Sequence, residues 1–175
     1  LVGSEMCKET EHIQEFLLTT SILDRLTGPL CQVVSGQRKC ASILEQLERN
    51  NLFIVPLDSE RRWYRYHRLF SDLLRRRAEQ VYGAELPKLH HRASRWYEQN
   101  GMVTEAIAQT LAERDFDRAT ELIENNTQSA LMRSEFATVL GWIEALPRDL
   151  VCQRPLLCVY HAPVSYTHLT LPTNR

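Results

Sequence analysis

Phe16–Cys31 reads FLLTTSILDRLTGPLC, and Leu44–Arg77 reads LEQLERNNLFIVPLDSERRWYRYHRLFSDLLRRR. The order of elements in these two stretches decides the fold. Ile13, Phe16, Leu17 and Leu18 recur at helical spacing, extended by Ile22 and Leu23. Asp24 opens a break that runs to Gly28-Pro29. Pro29 suits a first helical turn with Thr27 as its N-cap, and Leu30, Val33 and Val34 continue a short helix that Gly36 closes. A third helix carries Ile43, Leu44 and Leu47, and Asn50-Asn51 suits a left-handed end. Leu52–Leu57 and the run Trp63, Tyr64, Tyr66 are strand-like, joined by the turn-forming DSER, with Pro56 marking an edge. Leu69, Phe70, Leu73 and Leu74 then predict a helix to about Val81, with Gly83 as a boundary. Helix, helix, helix, hairpin, helix is the order of a winged helix.

Beyond Gly83 the pattern is helical throughout. Leu86, Leu89, Ala93, Trp96 and Tyr97 predict one helix ending at Asn100-Gly101. Two more open at VTEA (Val103–Ala106) and FDRA (Phe116–Ala119), with Thr104 and Asp117 as N-cap candidates and with Ala106 and Ala119 small enough for close packing. Another starts within Ser134–Leu146, where Phe136 lies 33 residues beyond Val103, near a helical-hairpin repeat period. The fold class is therefore mainly α: a winged helix with a small β-hairpin over 1–82, then antiparallel helical hairpins resembling tetratricopeptide (TPR) repeats over 83–162.

The ends read differently. The chain opens at Leu1 without a signal-peptide pattern, and is expected to be an internal segment. Val164–Thr173, VSYTHLTLPT, matches a translated sequencing adapter, so 163–175 is expected to be a non-native tail with native sequence ending near Ala162. At 43% hydrophobic and 25% charged residues the composition is that of a globular protein, and no apolar run approaches a membrane span. Five scattered cysteines without a CxxC suggest reduced, mostly buried thiols and a cytoplasmic location.

The net charge of −1 conceals an asymmetry: 61–95 carries ten basic and three acidic residues, between two acidic flanks. Arg61, Arg62, Arg65, Arg68, Arg75, Arg76 and Arg77 could form a docking face, a DNA-contacting wing or solvated charge packed on the aromatic wing. Glu45 and Glu48 on the third helix oppose DNA entry, since they would repel phosphate. Tyr64 and Tyr66 share one face of their strand, so core packing explains them without a stacked ligand. His90-His91, beside Lys88 and Arg92, reads as a solvated basic face and not as a metal site. No phosphate loop or catalytic constellation is found, so no enzyme is expected in these residues. His67, between the second strand and the helix, either bonds to backbone at the helix start or offers its imidazole to a ligand.

Across Glu11–Ala162 the sequence resembles MalT-like, LuxR-family ATP-dependent transcriptional regulators, most densely in SILDRLTGPLC, LFIVPLD, ERRWYRYHRLF, ASRWYEQNG and WIEALP. The resemblance implies a larger switch protein of the STAND NTPase class: an ATPase core, then this winged helix and the start of a repeat arm that senses an effector, then a helix-turn-helix that binds promoter DNA. It also implies that His67 reaches the β-phosphate of ADP held in the core. ATP or ADP would belong to that core and not to this segment, and self-association would follow effector binding. A related signalling serine/threonine kinase shares this middle region, so regulation of a kinase, or a stand-alone DNA-binding winged helix, are the alternatives.

Overall fold

Elements up to Asn100 form one compact unit and those from Gly101 a second. The computed structural model describes residues 2–155, 157 and 158, with side chains from Glu11. The supposed adapter tail and the boundary at Ala162 lie outside these residues.

In the first unit α1 spans Val2–Thr20, longer than the apolar pattern alone predicts. Phe16 is fully buried, as are Leu23 and Leu26 in the turn that follows. Helix α2 (Gly28–Ser35) starts with Pro29 in its first turn and ends on Gly36 at φ 73°, the left-handed region that favours glycine. Thr27 sits at the N-cap position, but its side chain caps nothing; the predicted cap is absent. A β-carbon on Gly28 would lie 3.0 Å from that of Ala41, so glycine lets the start of α2 pass close to α3 (Cys40–Arg49). Leu30, Cys31, Val34, Cys40, Leu44 and Leu47 are buried along α2 and α3. Each large aliphatic side chain so buried contributes about 1.5–3 kcal/mol.

Strands β1 (Ile54–Pro56) and β2 (Tyr64–Tyr66) pair antiparallel, with Ile54 opposite Tyr66 and Pro56 opposite Tyr64. Tyr64 and Tyr66 point inward and Arg65 outward, as alternation requires. A third strand of a single residue was not legible in the sequence. Leu26 exchanges both main-chain bonds with Tyr64, at 2.7 and 2.9 Å, on the side of β2 away from β1. Helix α4 (Arg68–Tyr82) follows and packs on α1 through Leu74 and Ala78.

Helix α5 (Leu86–Gln99) belongs to this unit, although the sequence reading placed its start at a domain boundary after Tyr82. Gly83 adopts ordinary right-handed helical angles, so it does not terminate the unit. The amphipathic face of α5, Leu89, Ala93 and Tyr97, is buried as the helix packs on α2. Arg92 donates to the Val34 carbonyl at 3.2 Å, and Trp96 meets Trp63 edge to face at 6.4 Å.

The second unit contains α6 (Val103–Glu113), α7 (Phe116–Met132), α8 (Phe136–Glu144) and α9 (Arg148–Gln153). Consecutive helices α6, α7 and α8 pack pairwise, and Ala106 and Ala119 are completely buried, as close approach requires. The predicted caps Thr104 and Asp117 lie inside the first turns. The N-cap positions are Met102 and Asp115, and the Asp115 carboxylate accepts the Arg118 N–H at 3.1 Å. Ile107, Ile123, Val139 and Ile143 form the core with Trp142 and Leu157.

Candidate functional site

The wing and the start of α4 gather the charged residues singled out by sequence. His67 occupies the N-cap of α4. Its main-chain N–H donates to the Phe53 carbonyl at 2.7 Å, and its carbonyl accepts from Ser71 N–H at 2.9 Å. The imidazole is exposed and makes no cap bond, so the helix-start reading of its side chain is not realised. Phe53, which anchors it, has φ 54°, a left-handed conformation uncommon for a bulky residue. Its ring stacks on Phe70 at 4.9 Å, and Phe70 in turn meets Tyr66 edge to face at 6.0 Å. Two aromatic contacts and one main-chain bond thus fix where His67 projects.

The seven arginines do not form one face. Arg61 pairs with Glu48 of α3 at 3.4 Å, and Arg62 pairs with Glu60 on the wing tip. Arg75 donates to the Ser21 carbonyl at 3.0 Å and to Asp24 at 2.6 Å, tying α4 to the turn after α1. Arg77 donates to Gln80 at 3.1 Å. Arg65, Arg68 and Arg76 are exposed and have no partner among the described residues. The basic cluster therefore divides into residues with intramolecular partners and three uncommitted cations, of which Arg68 adjoins His67.

Helix α3, the helix a winged helix offers to a DNA groove, is committed to the wing instead. The Glu48 carboxylate accepts from the Tyr64 hydroxyl at 3.4 Å as well as pairing with Arg61, and Glu45 pairs with Arg49. Burial first, then the Glu48 charge, pushes the Tyr64 phenol above its ordinary range.

Deeper in, Thr20 donates to the Phe16 carbonyl at 2.6 Å, so the 2.7 Å bond between Thr20 and Tyr66 takes its proton from tyrosine. Burial raises the Tyr66 phenol strongly. Burial likewise raises the Cys31 and Cys40 thiols. Cys152 and Cys158, by contrast, are exposed, so the described cysteines divide evenly between core and surface.

Sequence reasoning missed Arg25. It flanks Leu26, and with Asp24, Leu57, Asp58, Trp63 and Arg65 it lines a cleft of about 500 Å³. The signal was present, an arginine beside a leucine before a turn, but only the pairing of Leu26 with Tyr64 gives it meaning. Among the described residues no helix is long and apolar enough to cross a membrane.

The comparisons with known proteins agree with the winged-helix fold. Residues 7–86 match the family model of the MalT winged helix domain. The HTH-type transcriptional regulator MalT of Yersinia pestis is 33% identical over 162 residues, 93% of this chain and 18% of that protein. Serine/threonine-protein kinase PknK of Mycobacterium tuberculosis is 33% identical over 145 residues, 83% of this chain and 13% of that kinase. The chain thus spans less than a fifth of the length of either relative. The chain belongs to the MalT family, and its residues 7–86 are a winged helix domain of that family.

Proposed function

We propose that this winged helix is the latch of a nucleotide-dependent switch, with His67 reaching the β-phosphate of ADP held by an ATPase core of the same polypeptide. The observation that supports this reading is the state of His67. Its backbone is held by Phe53 and Ser71, while its exposed imidazole makes no cap bond. An imidazole can donate to phosphate oxygens, and Arg68 beside it adds an uncommitted cation. The helices from Gly101 onward start a TPR-like arm, to which an effector binds. Coupling follows if the effector favours the form in which the latch is released.

On this reading the segment is not itself an enzyme. ATP and ADP belong to the core, promoter DNA to a separate helix-turn-helix, and self-association follows release, in the cytoplasm. The equal identity to PknK supports a second reading, in which the same latch governs a kinase. A stand-alone DNA-binding role is disfavoured because Glu48 and Glu45 occupy α3.

The test is a protein carrying this chain behind a MalT-type nucleotide-binding core, with His67 intact or as His67→Ala. Faster ADP release from the variant is expected. An unchanged ADP dissociation rate would overturn the latch.

A further inference from the structure

The outer face of the small sheet carries a feature that neither folding nor the latch uses. Leu26 bridges Tyr64 antiparallel, which brings Arg25, in the bend just before it, beside Arg65 of β2. Both side chains are exposed, and both line the same cleft. Like charges held close together repel, and neither guanidinium has an ion-pair partner among the described residues.

Of the two acids of the cleft, Asp24 is ion-paired and Asp58, which keeps its charge, is turned to the main chain. Asp24 bonds to Arg75 at 2.6 Å, and Asp58 accepts the main-chain N–H of Arg62 at 2.8 Å and of Trp63 at 3.4 Å. Two cations are left facing open space. Alternation puts Trp63 on the same strand face as Arg65, and Leu57 is paired to Trp63 through a 2.8 Å main-chain bond. Leu57 is 41% exposed, so an apolar shelf adjoins the cationic pair. The indole of Trp63 meets Trp96 edge to face.

We propose that this cleft is a binding site for a small phosphate monoester with a flat apolar body. The phosphate sits between Arg25 and Arg65, where two guanidiniums can each give paired N–H bonds to its oxygens. The body lies on Trp63 and Leu57. The site is built entirely from the β-sheet and the turn before α2, and it stands whether or not His67 is a latch.

The test is isothermal titration calorimetry of the full 175-residue chain in phosphate-free buffer, with phenyl phosphate and inorganic phosphate as probes. Phenyl phosphate is expected to bind at one site, at least about tenfold more tightly than inorganic phosphate, a gap of about 1.4 kcal/mol. Arg25→Gln and Arg65→Gln should each lose about tenfold or more of that affinity, while Arg76→Gln, a cation outside the cleft, should lose none. Thermal melts give an independent readout. Without ligand, Arg25→Gln should raise the melting temperature by relieving repulsion, and it should abolish the rise that phenyl phosphate gives the parent chain. No saturable binding, or equal loss in Arg76→Gln, would overturn the site. Equal affinity for the two probes would overturn the seat assigned to Trp63 and Leu57.

Discussion

The carbonyl of Phe53 accepts the main-chain N–H of His67 at 2.7 Å, and it does so from a residue held at φ 54°. The hairpin is thereby closed at its base by a strained residue, and α4 starts from a fixed point. The strain is offset by the stack of Phe53 on Phe70 and by that bond.

Phe53→Pro is therefore expected to destabilise the chain by about 3 kcal/mol or more, since proline cannot adopt a positive φ and loses the N–H that bonds Asn51. His67→Ala should change stability by no more than about 0.5 kcal/mol, because an exposed imidazole without a cap bond contributes little to folding. Urea denaturation of both variants checks this. A large loss in His67→Ala would mean that the side chain is a structural strut.

Alkaline pH should expose the Thr20–Tyr66 bond. The Tyr66 phenol is raised above its unfolded value of about 10, so its contribution to stability is complete below that pH and falls as pH rises beyond it. Denaturation midpoints are expected to start falling near pH 9, where the unfolded Cys31 and Cys40 thiols ionise, and to fall more steeply above about 10 as the unfolded Tyr66 phenol follows. Tyr66→Phe should cost about 1 kcal/mol at neutral pH and make that decline shallower. An unchanged alkaline slope would show that Tyr66 is not its source.

Thiol reactivity should follow burial. Cys31 and Cys40, buried with raised thiol values, are expected to resist iodoacetamide at pH 8 in the folded chain. Cys152 and Cys158 should label readily. Peptide mass mapping separates the sites, and rapid labelling of Cys31 without unfolding would contradict this packing.

In the second unit the indole N–H of Trp142 is buried and has no hydrogen-bond partner among the described residues. Removing an unsatisfied buried donor relieves a penalty of about 1–3 kcal/mol, against the loss of packing when tryptophan becomes phenylalanine. Trp142→Phe is expected to be close to neutral, whereas Ile123→Ala in the same core should cost about 2–5 kcal/mol. Equal losses in the two variants would show that the indole nitrogen is satisfied.

What the sequence determined by itself was local. Pro29, Gly36 and the apolar spacing around them specify α2, because first-turn proline and left-handed glycine act over a few residues. The alternation of Tyr64, Arg65 and Tyr66 specifies which side of β2 enters the core. The tertiary structure decided what depends on residues far apart in the chain. It commits Glu48 to the wing, divides the arginines into paired and uncommitted groups, and keeps α5 within the first unit by burying Leu89, Ala93 and Tyr97. It also brings Arg25 beside Arg65, through a pairing of Leu26 with Tyr64 for which a single residue between two helices carries no periodic signal. Periodicity reports which face of an element is apolar. The partner that covers that face, and the charges brought together beside it, follow only from the closed core.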